Sequence, residues 1–234
     1  MIEVRELHQH SELAEAVRLQ QQIWGFEDVE LLPLRLFVVA TKIGGHVLGA
    51  FDGERMVGFS LAIPGVKPGG AAYWHSHMMG IIEGYRDQGI GRRLKLRQKE
   101  DALARDIKLI EWTFDPLELK NAHFNIERLG AVVRRYVLNQ YGTTTSHLHG
   151  GLPTDRCVAE WHLDRDIPRN DIQARIALPA DILDIRRTDP RRARAIQKAA
   201  SDRFLEHFAR GLAVLRFERS DTHGTYLLGP WPSE

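Results

Sequence analysis

The stretch from Ile81 to Leu94 reads IIEGYRDQGIGRRL, and it places the pattern R-x-x-G-x-G between an expected strand and an expected helix. Gly89 and Gly91 let the backbone come close to a ligand, because glycine has no Cβ. A helix that begins there directs free N–H groups and the positive end of its dipole at the same point. The stretch therefore predicts an anion site suited to a pyrophosphate, although a plain strand-to-helix turn would use the same two glycines.

Two common phosphate-binding loops do not fit this stretch. A Walker A loop needs Lys and then Ser or Thr after its last glycine, whereas Arg92 and Arg93 follow Gly91. The dinucleotide fingerprint G-x-G-x-x-G belongs to the first strand–helix unit of a parallel sheet, and here several strands are expected upstream. The spacing therefore excludes both.

Hydrophobic periodicity predicts strands and helices on both sides of the loop, in the order β-α-α-β-β-β-α-β-α-β-β. Some strands form hairpins and others are joined by helical crossovers, which predicts an α/β (α+β) fold with a mixed, mostly antiparallel sheet flanked by helices. Ser11 is a plausible N-cap of the first helix. The expected strands are 2–7, 46–51, 55–63, 72–82, 108–114, 131–139 and 156–163, and the expected helices are 11–24, 33–42, 92–106 and 117–129.

The chain beyond Asp164 has a different pattern, because prolines at 168 and 179 interrupt it. We expect an extended segment at 182–185, a helix over 190–211 and a hairpin formed by 212–218 and 225–228. Periodic apolar residues indicate that this tail is folded. The sequence thus predicts a domain over 1–163 and a C-terminal extension over 164–234 that packs on it.

The composition of the chain argues against some classes of function. The chain has 234 residues, of which 43% are hydrophobic and 27% charged, with a formal net charge of +1. Bulk charge this close to zero argues against nucleic-acid or membrane partners. Cys157 is the one cysteine, so no intrachain disulfide forms. The N-terminal residues do not resemble a secretory signal, and we expect a cytoplasmic protein.

The loop at 86–91, taken with this order of elements, resembles the acyl-CoA-binding loop of the GNAT N-acetyltransferase superfamily over roughly residues 2–163. The longer strings at 76–80, 112–116 and 151–156, and Asn121-Ala122 with Asn125, resemble a poorly characterised bacterial branch of GNAT acyltransferases with a C-terminal extension. The resemblance implies an acyl-CoA-dependent N-acyltransferase. It would transfer an acetyl or succinyl group directly to a small-molecule amine, such as an amino acid.

The resemblance also implies which residues bind acetyl-CoA or another acyl-CoA. It implies no need for a metal ion. Backbone near Met79 would pair with the pantetheine arm, amides after Asp87 would bind the pyrophosphate, and the helix near Asn121 would line the other wall. His147 and His149 lack a third ligand at a suitable spacing, so we expect no metal there. The implied cofactor residues are Met79, Gly80, Ile81, Arg86, Asp87, Gln88, Gly89, Ile90, Gly91, Arg92, Asn121 and Phe124.

A base must remove a proton from the attacking amine. His77 on the fourth strand and Glu83 directly after it are the catalytic candidates, and Glu111 on the neighbouring strand could bind the substrate amine. Arg156 could bind a substrate carboxylate. For each of them the alternative is a structural side chain in a hydrogen bond or an ion pair.

One departure from the family pattern leaves a second function open. Many GNAT enzymes have Tyr four residues before the glycine that ends the fourth helix, where it protonates the leaving thiolate, but this position is Ile126 here. Tyr136 or Tyr141 could replace it. The alternative is a non-catalytic GNAT-fold protein that binds CoA. The tail could also cap the sheet or join two subunits as a homodimer.

Overall fold

The computed structural model of the protein describes residues 1–142 and 151–231. Each half of the chain contributes five strands. The chain forms two units, Met1–Glu111 and Trp112–Glu234. Strand β5 begins in the first unit and ends in the second. Each unit has its own helices and its own buried side chains.

The first unit orders its strands β1-β2-β3-β4-β5. The pairs from β1 to β4 are antiparallel, and β5 lies parallel to β4. Short 3-10 turns cover Asp28–Glu30 and Glu83–Tyr85. The elements are β1 (Ile2–Glu6), α1 (His10–Trp24), α2 (Leu34–Lys42), β2 (His46–Asp52), β3 (Arg55–Val66), β4 (Ala72–Ile81), α3 (Ile90–Leu103) and β5 (Leu109–Phe114).

Trp74 of β4 anchors the core of the first unit. The indole is 1% exposed and donates a hydrogen bond to the carbonyl of Gly44 at 2.9 Å. His46 stacks on it with ring centroids 4.8 Å apart and bonds to Asp101 of α3 at 2.9 Å. These contacts fix α3 to the sheet, because a buried indole or imidazole nitrogen needs a polar partner.

Helix α1 begins one residue before the expected cap. Gln9, not Ser11, is the N-cap, and it forms a capping box in which Glu12 accepts a hydrogen bond from the Gln9 amide at 3.2 Å. The expectation for Ser11 is therefore wrong. Gly25 ends the helix with φ of 67°, directly after the expected last residue at 24.

The second unit orders its strands β7-β6-β9-β10-β8, and each pair of neighbouring strands is antiparallel. Helix α4 continues into a π-helical turn over Phe124–Arg128. Tyr226 lies at the centre of the core, packed between Phe204 and Phe217, and its hydroxyl donates to the carbonyl of Pro116 at 2.7 Å. The elements are α4 (Leu119–His123), β6 (Val132–Val137), β7 (Arg156–His162), β8 (Ala174–Pro179), α5 (Ile182–Thr188), α6 (Pro190–Ala209), β9 (Leu212–Arg219) and β10 (His223–Pro230).

The tail contains more structure than the sequence predicts. The expected extended segment at 182–185 is wrong, because these residues begin helix α5 and bury Ile182 and Ile185 at helical spacing. Strand β8 was not expected, whereas α6 and the β9–β10 hairpin are confirmed. The boundary expected after Leu163 stays a prediction. Residues on both sides of it belong to the second unit.

The expected class is confirmed: helices flank mixed, mostly antiparallel sheets, with extra strands near the C-terminus. Within 1–142 and 151–231, no helix has both the length and the apolar composition needed to cross a membrane.

Candidate active site

Strand β4 contains a bulge at His77. On β3, Leu61 pairs with Met78 and the next residue, Ala62, pairs with Ser76, so His77 is an extra residue with no partner across the ladder. A bulge redirects side chains and interrupts the regular pairing of a strand, and bulges are frequent beside active sites. The structure therefore places the candidate base His77 at the one irregular point of the β3–β4 pairing.

The pairing of β4 with β5 ends just before the bulge. Strand β4 pairs with β5 through Trp74 with Ile110 and through His75 with Glu111. Further along, the Ile82 amide donates to Val57 of β3 at 3.0 Å. Since successive amides of a strand point to opposite edges, those of Met79 and Ile81 point away from β3. These amides are oriented to pair with an extended ligand.

The chain after β4 forms a loop and then the N-terminus of α3. Asp87 and Gly89 have positive φ, 63° and 78°, and Gly89 is the N-cap of α3. The cap has no side-chain hydrogen bond, and the first helical bond runs from the Arg93 amide to the Gly89 carbonyl at 3.1 Å. The amides from Ile90 to Arg92 precede that bond, so they have no carbonyl one turn earlier to pair with. They can bind an anion.

Two loop side chains support the backbone of the loop. Arg86 donates to the carbonyls of Ile81 at 3.1 Å and Ile23 at 3.3 Å, and Gln88 donates to the Gly84 carbonyl at 3.1 Å. These bonds hold the loop against the end of β4. Arg92 is exposed, whereas Ile90 is 2% exposed and anchors the helix in the core.

Neighbouring glycines of the site have different surroundings. A Cβ at Gly80 would lie 2.8 Å from ring carbons of Trp24, so this glycine permits α1 to approach β4. A Cβ at Gly91 would meet only Met79, with its Cε at 3.5 Å, which is an ordinary contact. Gly80 is therefore needed for packing, and Gly91 leaves space at the start of α3.

His77 is the first of the two catalytic candidates. Its side chain is exposed, and its ring centroid lies 5.8 Å from that of His75. Although the ring reaches solvent, surrounding protein atoms desolvate it, and this lowers the pKa of His77 below its usual value. The imidazole is consequently neutral near pH 7. Glu83, the other catalytic candidate, is exposed in the 3-10 turn after β4.

Glu111 lies on β5, where it forms the last β4–β5 pair with His75, and it is buried. Its carboxylate accepts a hydrogen bond from the ammonium of Lys67, and only 4% of its side chain is exposed. The carboxylate therefore already holds a cation. The sequence did not single out Lys67, because the two residues lie 44 positions apart.

Lys95 of α3 is a second residue that sequence reasoning missed. It is 3% exposed, and its Nζ donates to Ser76 Oγ at 2.7 Å and to Gln98 Oε1 at 3.2 Å. Burial lowers the pKa of Lys95 to about 7. The buried i, i+4 series of α3 includes Gln98, so helical periodicity could have indicated polar groups facing inward here.

The remaining predicted residues lie in the second unit. Asn121 is exposed on α4 and accepts a hydrogen bond from Asn125 at 3.3 Å, and half-buried Phe124 opens the π-helical turn. Arg156 begins β7, with its guanidinium 5.4 Å from the ring centroid of Tyr141. Ile126, at the position of the family's tyrosine, is completely buried. His147 and His149 lie outside the described residues.

The two tyrosines considered as substitutes differ in accessibility. Tyr136 is 8% exposed, its hydroxyl bonds to Ser201 and Asp155, and burial raises its pKa. Tyr141 is 47% exposed, and its hydroxyl lies 3.1 Å from Thr113 Oγ1. Only Tyr141 of the two could reach a ligand in solution.

Comparison with known proteins supports one fold. The sequence matches no protein-family model and has no significant match among curated proteins. Among solved structures, the ribosomal-protein-S18-alanine N-acetyltransferase of Escherichia coli is 16% identical, with a TM-score of 0.55, over 71% of this chain and 97% of that one. Arabidopsis thaliana NAA60 in complex with acetyl-CoA is 14% identical, with a TM-score of 0.55, over 69% of this chain and 99% of that one.

A third structure is a GNAT family acetyltransferase from Elizabethkingia anophelis with acetyl-CoA bound. It is 12% identical, with a TM-score of 0.53, and the match covers 69% of this chain and 98% of that one. Nearly the whole length of each of these proteins is thus matched by about seven-tenths of this chain. At such low identity the likeness concerns the fold, and the chain has the GNAT acetyltransferase fold.

Proposed function

We propose that the protein is an acyl-CoA-dependent N-acyltransferase that transfers an acetyl or succinyl group to the amine of a small molecule. The observation that carries this proposal is a pair of backbone donor groups on either side of the loop: the β4 amides of Met79 and Ile81, which point away from β3, and the amides at the start of α3, from Ile90 to Arg92. Such a pair fits an extended ligand that ends in a pyrophosphate. Structures that share the fold hold acetyl-CoA.

The chain's residues supply three parts of the chemistry. Amides at the start of α3 bind phosphate oxygens, and β4 amides near the bulge donate to the thioester carbonyl as charge develops on it. Neutral His77 takes the proton of the attacking amine, with Glu83 as the other candidate. The amine nitrogen bonds to the acyl carbon, the carbon–sulfur bond breaks, and CoA leaves as a thiolate. Binding both substrates together removes most of the entropic cost of their meeting.

Calorimetry with acetyl-CoA and succinyl-CoA tests the ligand class. We expect binding of at least one of them, and we expect Gly89→Val to weaken it at least tenfold, since a β-branched residue opposes the positive φ of 78°. Gly84→Ala is the matched control, because a Cβ there meets nothing within 4 Å. If neither ester binds, the proposal is wrong.

A non-catalytic CoA-binding protein is the second candidate. It is favoured by buried Ile126 at the position of the family's thiolate-protonating tyrosine. Thiol release across a panel of amines separates the two candidates, because a binding protein would take up acetyl-CoA without releasing thiol. If there is turnover, Tyr141→Phe tests whether that hydroxyl protonates the thiolate.

A further inference from the structure

Lys67 lies in a cage formed by a carboxylate and an aromatic ring beside the candidate active site. Its Nζ donates to Glu111 and lies 4.6 Å from the ring centroid of Tyr73. A carboxylate and the face of an aromatic ring both attract alkylammonium ions. We call Glu111 and Tyr73 the ammonium cage. The cage is a built cation site, and Lys67 is the cation that occupies it.

The walls of the ammonium cage are held by contacts that do not involve Lys67. Glu111 is fixed by strand pairing with His75 and is almost completely buried. The Tyr73 ring lies against the backbone of Gly65, where a Cβ would be 2.5 Å from Cε1 and 2.8 Å from the hydroxyl oxygen. The backbone of Glu111 and the ring of Tyr73 are therefore positioned by contacts other than those with Lys67.

Lys67 can leave the cage without moving its backbone. Its residue belongs to a turn closed by the hydrogen bonds from the Lys67 amide to Ala71 at 2.8 Å and from the Gly70 amide to Lys67 at 2.9 Å. The side chain is 27% exposed, and its flexible four-carbon stem can turn toward solvent. An incoming ammonium would give Glu111 a cation again, so the exchange costs little electrostatic energy.

The ammonium cage lies at a defined distance from His77. Glu111 pairs with His75, and the His75 ring centroid lies 5.8 Å from that of His77, so the cage and the candidate base are about two strand residues, or roughly 7 Å, apart. A substrate whose reacting nitrogen lies at His77 would thus place a second ammonium, about five carbons away, in the cage. Lysine side chains and short diamines have this reach.

We propose that the ammonium cage binds the second positive charge of an aliphatic diamine or polyamine, which displaces Lys67 while its other nitrogen is acylated. The inference rests on the proposed function and specifies its acceptor class. The cage contributes binding and orientation only, since Glu111 and Tyr73 touch the nitrogen that does not react. Lys67 competes with the acceptor and thereby raises the concentration needed to saturate the site.

The test compares two acceptors of equal length, 1,5-diaminopentane and pentylamine, by kcat/KM with acetyl-CoA. We expect at least a tenfold preference for the diamine. Glu111→Gln and Tyr73→Leu should reduce this ratio to about one, while Tyr73→Phe keeps the ring and the ratio. Lys67→Met should lower KM for the diamine severalfold more than it lowers KM for pentylamine. If Glu111→Gln does not fold, Tyr73→Leu and Tyr73→Phe test whether the cage causes the preference for the diamine.

A binding measurement keeps this inference separate from the proposed function. Without acyl-CoA, 1,5-diaminopentane should raise the melting temperature of Lys67→Met by more than pentylamine does, and Tyr73→Leu in the same background should remove the difference. Equal melting-temperature shifts for the two amines would overturn the proposal that the cage binds a diamine. A preference for the diamine that survives both Glu111→Gln and Tyr73→Leu would overturn it too. Failure to bind acetyl-CoA would overturn only the proposed function.

Discussion

Ser76 and Met79 are three residues apart on β4, yet both side chains face helix α3. Ser76 Oγ accepts a hydrogen bond from Lys95 at 2.7 Å, and the Met79 Cε lies 3.5 Å from where a Cβ of Gly91 would be. In a regular strand an odd spacing puts two side chains on opposite faces. The inserted His77 reverses the alternation, so one residue both changes the register and presents the candidate base.

Removal of the His77 imidazole tests its role as base. We expect His77→Gln to lower kcat/KM about a hundredfold while the Kd for acetyl-CoA stays within a factor of two. Because desolvation lowers the pKa of His77, the acid limb of the pH profile should have its midpoint below the usual value of 6.5 and be absent in the variant. His8→Gln, at a side chain 72% exposed, is the control. An unchanged acid limb would contradict the assignment.

Gly80 and Gly91 should respond differently to alanine. Gly80→Ala places a methyl group 2.8 Å from Trp24, which should cost about 1–3 kcal/mol of unfolding free energy in urea denaturation. Gly91→Ala has room in a helix. Its unfolding free energy should therefore be the same as that of the wild type, or higher by about 0.5–1 kcal/mol. Its methyl group should still weaken acyl-CoA binding. If Gly91→Ala binds as tightly as the wild type, phosphate does not approach this turn.

Buried Lys95 should make stability depend on pH. The pKa is about 7 in the folded protein and 10.5 ordinarily, so between these values the unfolded chain binds more protons. Stability contributed by this residue therefore rises with pH across that interval. From pH 7 to pH 9 the unfolding free energy of the wild type should increase by about 2 kcal/mol more than that of Lys95→Met.

The control for Lys95 lies one turn further along the same helix. Lys99→Met removes a lysine that is only partly buried, and it should preserve the pH dependence of the wild type. Urea denaturation at several pH values provides the comparison. Parallel curves for the wild type and Lys95→Met would show that Lys95 keeps an ordinary pKa in the folded protein.

Local patterns predicted most of the fold, and the failures have physical reasons. The hairpins and α3 follow from alternation, turn glycines and helical periodicity, which are properties of neighbouring residues. Residues 182–185 were expected to be extended because four residues, three of them apolar, do not reveal a period. Strand β8 is a short strand at the end of the sheet order, and it ends at Pro179.

The candidate site was predicted only in part. The glycine loop and His77 could be identified, since the loop is a contiguous motif and His77 belongs to a recognisable string. The Lys67–Glu111 contact joins positions far apart in sequence, and the bulge at His77 appears only when β3 is paired with β4. Such features depend on pairing between distant segments, so the residues next to them in the sequence give no signal for them.

The second unit depends on contacts between segments that lie far apart in the chain. β6 pairs with β9 through Val133 and Val214, and Arg186 bonds to Asp115 at 2.9 Å and to Glu118 at 2.8 Å. A ribosome releases the N-terminal part of a chain first. The first unit can complete its contacts once Glu111 has emerged, whereas β6 must wait for β9. The nascent protein should therefore contain one folded half and one unpaired half until β9 has been synthesised.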